Sequence, residues 1–243
     1  MAKVKNRLLD TNLIIYQNNE WFKFSLDSVL LAKFVTLNLR HKKIIDLATG
    51  NAPIPLLLSF RTNASIYGIE YQECVYELGK QSIIENDMDM QINLIHEDVK
   101  NLRNLFNSDT FDVVTCNPPY FKTENKEFFN DNSVKSLARH EITLTLDDVL
   151  KQASYLLKNG GIFAMVHRTE RFVEILEKMK QYHLEPKRVQ FIYPKQGRNS
   201  DLFLVEGIKN GNLGLKLLSP LMIHEEDNTY TEKVLEILNF NKR

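Results

Sequence analysis

The residues best placed to do chemistry stand in one stretch, Phe111-Asp-Val-Val-Thr-Cys-Asn117-Pro118-Pro119-Tyr120, an apolar run that stops on a carboxamide, two prolines and a phenol ring. Neither proline has an N–H and each fixes φ, so the backbone beyond the run is stiff and carries carbonyl oxygens with no local donor. The Asn117 side-chain oxygen and the Pro118 carbonyl can accept both hydrogens of one planar amino group, while the Tyr120 ring stacks on the flat system bearing it. The chemistry suggested is the orientation of a conjugated –NH2. Standing alone, the same four residues also make an ordinary proline-stiffened turn after a strand.

Such a turn needs a rigid platform. Phe111–Cys116, rich in β-branched residues and closed by turn chemistry, predicts a strand buried in a sheet. Upstream, Lys43-Ile-Ile-Asp46-Leu-Ala48-Thr49-Gly50-Asn51-Ala52-Pro53 predicts a strand, a small-residue turn and a helix opened by proline. Its spacing, Asp-x-Ala-x-Gly-x-Ala, departs from the Gly-x-Gly-x-x-Gly of dinucleotide folds. Alanine is acceptable there where φ is negative, but each extra methyl crowds a ligand passing over the turn. A helix through Leu56–Phe60 follows, and then a strand, Ser65–Glu70, that ends on an acid twenty residues past Gly50. In βαβ units of this kind that is where ribose-binding carboxylates sit, and Glu70 can accept from both hydroxyls. A helix over Tyr71–Glu85 and a strand over Gln91–His96 lead to Asp98, placed to accept from an adenine amino group. Asp46, Glu70, Asp98 and Asn117 are then expected along one edge of a parallel sheet, the edge at which open α/β folds bind ligands.

Around this core the chain carries two basic flanks. Residues 1–45 balance to +5, residues 46–120 to −7 and residues 178–216 to +5, within a total of zero. Zero net charge argues against indiscriminate coating of nucleic acid, whereas the uneven distribution suits a polyanion gripped by the flanks and a smaller ligand held in the acidic middle. The stretch Phe121–Thr145 lacks periodicity and interleaves aromatic with basic residues, among them Lys122 and Arg139, as a single-stranded base with its phosphates would require. The second flank contributes Lys187, Arg188, Lys195 and Arg198 as further candidates for RNA contact.

The remaining segments fill in the architecture. An aromatic cluster at Trp21–Phe24 leads, through Ser25 or Asp27 as N-cap, into an apolar helix. Thr145-Leu-Asp-Asp148 opens a helix with a capping box, and a strand over Gly161–Val166, a helix over Glu170–Tyr182 and a hairpin of Arg188–Tyr193 with Asp201–Glu206 come after it. Leu215–His224 is expected to be extended, and Thr231–Phe240 to be a short helix. No repeat or linker marks a boundary, so residues 1–243 are expected to form one domain: a helical extension over 1–42, a core over 43–210 and a tail over 211–243. No apolar run approaches a bilayer span and the start lacks an apolar leader, which points to a soluble cytoplasmic protein. Cys74 and Cys116, without His or Cys at ligand spacing, suggest buried free thiols rather than a disulfide or a metal site.

Asn-Pro-Pro-Tyr resembles the signature of methyltransferases that alkylate a conjugated amino nitrogen. Together with Phe24-Ser-Leu-Asp-Ser-Val-Leu-Leu-Ala32, Asp46-Leu-Ala-Thr-Gly-Asn51, Asn117-Pro-Pro-Tyr-Phe121, Arg139-His-Glu141 and Ser219-Pro-Leu-Met-Ile223, it makes the chain similar, over almost its full length, to the bacterial tRNA1(Val) adenine-37 N6-methyltransferases. The resemblance implies an α/β, Rossmann-like class I fold: a seven-stranded, mostly parallel sheet with one antiparallel strand and helices on both faces. It implies S-adenosyl-L-methionine as donor and tRNA as substrate, with no metal and no membrane partner, in a monomer. It also implies cofactor binding by Ser25, Asp46, Ala48, Thr49, Gly50, Asn51, Glu70, Asp98 and Asn117, and a catalytic set of Asn117, Pro118, Pro119 and Tyr120.

Two alternatives stay open at this level. A glutamine-amide methyltransferase of release factors presents a planar amide with the same four residues, but normally carries a long helical domain ahead of its first strand, where only about forty residues precede Lys43. A non-catalytic RNA-binding protein of the same fold is the other, since Ala48 and Ala52 replace glycines at the turn.

Overall fold

Runs dense in β-branched residues pair into one sheet in the computed structural model, which describes residues 3–9, 11–18, 25–118 and 144–240. In chain order, a ribbon of β1 (Lys3–Arg7) and β2 (Ile14–Asn18) precedes α1 (Leu26–Phe34), β3 (Lys43–Leu47), α2 (Pro53–Ser59), β4 (Ser65–Glu70) and α3 (Glu73–Glu85). Then come β5 (Ile92–His96), a 3-10 turn over Val99–Asn104, β6 (Phe111–Cys116), α4 (Leu146–Leu156) and β7 (Leu157–Arg168). The chain closes through α5 (Phe172–Gln181), β8 (Leu184–Tyr193), β9 (Leu202–Lys209), the two-residue strands β10 (Lys216–Leu217) and β11 (Leu221–Met222), and α6 (Glu232–Leu238).

The strand order is β10-β8-β9-β7-β6-β3-β4-β5, with β11 adding to β8. β9 runs antiparallel to β7 and β8, and the other pairs are parallel. The seven expected strands, one of them reversed, are thus present, and the two short strands extend the edge beyond β8. The chain walks outward from β3 to β5 and then returns to β6 on the other flank of β3, and open α/β sheets bind ligands at such a reversal.

Period-two alternation sorts each strand between the two faces. Ile44, Ile66, Val113 and Val166 pack with α1, α2 and Ile83 of α3, whereas Ile45, Val114, Phe163 and Met165 pack under α4 and α5. Val113 and Val114 are adjacent, fully buried and on opposite sides, as a doubly covered strand requires. On the first face the same alternation aligns Asp46, Gly68, Glu70 and Thr115. α1 starts where Ser25 leaves the helical region, and carries Asp27 in its first turn and Lys33 in its last, in the sense that favours the helix dipole. α4 opens with the expected reciprocal box between Thr145 and Asp148.

Two expectations need correction. Among the described residues, the N-terminal extension is helical only over α1. Ahead of it lies the β1–β2 ribbon, which packs on α3 through Ile14 N–H to Asn86 Oδ1 (2.8 Å) and Tyr16 N–H to Ser82 Oγ (2.9 Å). Of the two cysteines only Cys116 is buried, and Cys74 is exposed on α3. No helix among the described residues is long and apolar enough to cross a membrane.

Candidate active site

β3, β4, β5 and β6 end level with one another, because Leu47 pairs with Ile69 and Cys116 while Glu70 pairs with His96. Asp46, Glu70, Asp98 and Asn117 therefore share one edge of the sheet, as their spacing predicts. Asp46 is fully buried there, and its two oxygens accept from Thr49 Oγ1 (2.5 Å) and Thr115 Oγ1 (2.6 Å). Burial pushes its carboxyl up to about 7, against the opposing pull of those two hydroxyls, and the nearby Glu70 adds to the rise.

Glu70 takes a different part from the one expected of it alone. Its Oε2 accepts from Gly50 N–H at 2.9 Å and its Oε1 from Gln72 N–H at 2.8 Å, so the carboxylate clamps the turn after β3 to the end of β4. Burial raises its pKa, with those amides acting in the opposite sense. Each oxygen keeps a further lone pair for a ligand hydroxyl. The turn is held as well by Thr49 N–H to the Ile69 carbonyl (2.8 Å), and Asn51 Nδ2 donates to the Tyr16 carbonyl of β2 (2.8 Å).

The turn winds through three left-handed residues: Ala48 at φ 53°, Gly50 at φ 62° and Ala52 at φ 68°. The alanines thus sit where φ is positive, not negative, and each carries a steric cost of about 1–2 kcal/mol that the surrounding hydrogen bonds sustain. Gly50 is the position open to a ligand, since a Cβ built on it would meet nothing within 4 Å. At Gly68, by contrast, a Cβ would come within 2.8 Å of Leu94 and 2.9 Å of Thr49, so β4 must be bare where the turn leans on it. An open backbone above a clamped turn, flanked by acids, fits a ligand with hydroxyl and amino groups.

Asn117 lies one residue past β6. Its Nδ2 donates to Ser28 Oγ of α1 at 3.1 Å, which fixes the orientation of the amide and sets Oδ1 on the opposite side. Pro118 is buried beside it. Asp98 caps the 3-10 turn, accepting from Lys100 N–H at 2.9 Å, with Lys100 Nζ at 3.3 Å. Ser25 is exposed at the start of α1 and makes no side-chain cap. Pro119, Tyr120, Lys122 and Arg139 lie outside the described residues.

A family model described as "Methyltransferase domain" matches residues 38–239. The chain belongs to this methyltransferase family. A curated relative from Bacteroides thetaiotaomicron, named tRNA1(Val) (adenine(37)-N6)-methyltransferase, is 28% identical over 220 residues, 88% of this chain and 89% of its own. One of the same name from Shewanella woodyi is 23% identical over 221 residues, with 88% and 89% covered. Among solved structures, one described as a predicted O-methyltransferase from Agrobacterium tumefaciens superposes with a TM-score of 0.70 at 21% identity, over 88% of this chain and 96% of that one. Geranyl diphosphate C-methyltransferase from Streptomyces coelicolor, solved with S-adenosyl-L-homocysteine, gives 0.58 at 12% identity over 76% and 77%. The structural likenesses concern the fold.

Of the described basic residues expected to meet RNA, the methyltransferase separates two pairs. β8 runs parallel to β6 and β7, so the 194–201 loop leaves the sheet at the edge that carries Asn117. Thr169 at the end of β7 ties this loop down through Ser200 Oγ (3.1 Å) and the Asp201 carbonyl (3.0 Å). Arg198 is exposed in the loop, and Lys195 Nζ donates to the Glu226 carbonyl at 2.9 Å. Lys187 and Arg188 fall in the first half of β8. Lys187 Nζ donates to the Asn212 carbonyl at 2.9 Å. Arg188, half-buried, bonds Glu206 through Nε and Nη2 at 3.0 Å each and the Phe34 carbonyl at 2.6 Å. These bonds give Arg188 a structural part whatever its contact with RNA.

Ser28 and Thr115 were not singled out from sequence, although Ser28 lies within the segment of resemblance. His167, also missed, is buried at the end of β7, where its Nδ1 accepts from Arg168 N–H at 2.8 Å. Burial, with the Arg171 guanidinium beside it, brings the imidazole down to about 4, so it is neutral at physiological pH.

Proposed function

We propose that this methyltransferase transfers a methyl group from S-adenosyl-L-methionine to N6 of adenine 37, beside the anticodon of tRNA1(Val). The observation that carries the reading is Asn117, held by Ser28 at the end of β6 and on the same edge as the open turn at Gly50. The shared name of relatives aligned over most of the chain supports the substrate.

The donor supplies an electrophilic methyl on a sulfonium; the residues of this chain supply placement. Ala48, Thr49, Gly50 and Asn51 of the turn would hold the cofactor, with Glu70 accepting from its ribose hydroxyls and Asp98 from its adenine amino group. An adenine amino group is a poor nucleophile, because its lone pair is delocalised into the ring. Asn117 Oδ1 and the Pro118 carbonyl accept its two hydrogens, which turns the lone pair toward the methyl, and positioning is the main source of rate. Tyr120 joins this proposal by its place in the motif, as the platform on which the base stacks. The base leaves its own stack at a cost of a few kcal/mol, least in a loop such as the anticodon's. Lys195 and Arg198 meet phosphates from the loop beside the site. The chain acts as a monomer in the cytoplasm, where its substrate is found.

Single-turnover transfer to an unmodified tRNA1(Val) transcript tests this, with digestion and mass spectrometry to locate the product. N6-methyladenosine at position 37, absent from a transcript carrying guanosine there, is expected. Methyl found in another nucleoside, or in protein, would overturn it.

A further inference from the structure

Gln17, on β2, is only 3% exposed, and its Oε1 is buried with no hydrogen-bond donor among the described residues. Native folds rarely leave a buried acceptor unpaired, and where one occurs a ligand, ion or water commonly completes it. The surroundings indicate which. Along β2 the side chains alternate, so Gln17 shares a face with Ile15, which is fully buried in the core with α1 and α2. Tyr16, between them, turns its phenol away to Glu85 of α3 at 3.1 Å, while its carbonyl receives Asn51 Nδ2 from the open turn at 2.8 Å. Gln17 is therefore one residue from the clamp on that turn. Its neighbour on that face, Ile15, packs in the same core cluster as α1, the helix whose Ser28 holds Asn117.

Beside the turn both oxygens of Asp46 already receive hydroxyls, and each oxygen of Glu70 receives a backbone amide with one lone pair left for a ligand hydroxyl. The Gln17 oxygen, by contrast, is buried with no donor at all among the described residues. An ammonium has three donors and no acceptor, so it calls for a carboxamide oxygen rather than its nitrogen. We propose that Gln17 Oε1 accepts a hydrogen bond from the α-ammonium of the cofactor's amino-acid end. This rests on the cofactor assignment given above. It makes β1–β2 part of the binding site and accounts for the bond that ties the ribbon to the turn.

Titration calorimetry with two probes separates this role from a structural one. S-adenosylhomocysteine carries the amino acid, whereas 5′-methylthioadenosine keeps the nucleoside and thioether without it. Gln17→Met preserves volume and removes the acceptor. It should weaken S-adenosylhomocysteine about ten- to a hundred-fold, the loss of one charge-assisted hydrogen bond, and leave methylthioadenosine unchanged. Its ligand-free melting temperature should match or exceed that of the wild type, because an unpaired acceptor is gone. Equal affinity of both proteins for S-adenosylhomocysteine would overturn the assignment, as would a parallel loss for both probes or a fall in ligand-free melting temperature. If the wild type bound neither probe, the cofactor site would fail and this inference with it. If the wild type bound both and Gln17→Met matched it, this inference alone would fail.

Discussion

Replacing Arg188 by Ala separates a residue that grips RNA from one that holds the fold. Glu206 is 4% exposed and receives four donors: Thr36 N–H at 2.7 Å, Thr36 Oγ1 at 2.9 Å, and Arg188 Nε and Nη2 at 3.0 Å. The same guanidinium satisfies the Phe34 carbonyl and lies 4.5 Å from the centre of the Phe34 ring. Removing it leaves a buried carboxylate with two donors and no ion-pair partner among the described residues. Breaking a buried pair from one side costs about 3–5 kcal/mol. At this chain length each kcal/mol moves the melting temperature by about 2–4 °C, so Arg188→Ala should melt roughly 6–20 °C below the wild type. Arg188→Met combined with Glu206→Met should recover most of the loss, since an apolar pair removes the uncompensated charge. Well below both transitions, tRNA affinity and its salt slope should be unchanged by the single substitution. A normal melting temperature, together with a slope of log affinity against log salt reduced by about one, would refute the structural assignment and return Arg188 to the phosphates.

Asn117→Ala should lower single-turnover transfer by about two to three orders of magnitude while filter-binding affinity for tRNA holds, and a folded variant with near-normal turnover would remove Asn117 from the chemistry. Ala48→Gly relieves a left-handed alanine at about 1–2 kcal/mol against a glycine entropy of about 0.5–1 kcal/mol. The variant should unfold at slightly higher urea, and a drop in the midpoint would show that its methyl packs. Asp46 holds its proton from 3.8 up to about 7 in the native state, so its contribution to stability falls as pH rises through that range, by at most about 1.4 kcal/mol per pH unit. His167 is neutral down to about 4 instead of 6.5, so its contribution rises with pH across that window. Urea unfolding between about pH 4 and 7 should therefore steepen upward in Asp46→Asn and downward in His167→Gln, and identical profiles in the two variants would contradict both assignments.

Much of this protein was legible in its sequence because the signals are local. β-branched runs, a capping box at Thr145 and Asp148, and acids at strand ends define the strands and the ligand edge through chemistry shared by neighbours in the chain. Once β3 to β6 are known to be parallel, Asp46, Glu70 and Asn117 must fall together. The ribbon escaped because β1 carries Lys3, Lys5 and Arg7 on a five-residue strand, and only its packing on α3 makes the alternation meaningful.

Tertiary structure alone decided which polar groups face inward and what they meet. The bond from Asn117 to Ser28 spans 89 residues, and that from Arg188 to Phe34 spans 154. In sequence Arg188 and Arg198 are equivalent members of one basic flank, yet one is bonded to Glu206 of β9 and the Phe34 carbonyl of α1 while the other stands on an exposed loop. The left-handed turn at Ala48 and Ala52 is likewise imposed by clamps from β4 and Glu70. A side chain's charge and hydrogen-bonding capacity belong to its residue type, but its solvent exposure is set by whichever distant segment folds across it.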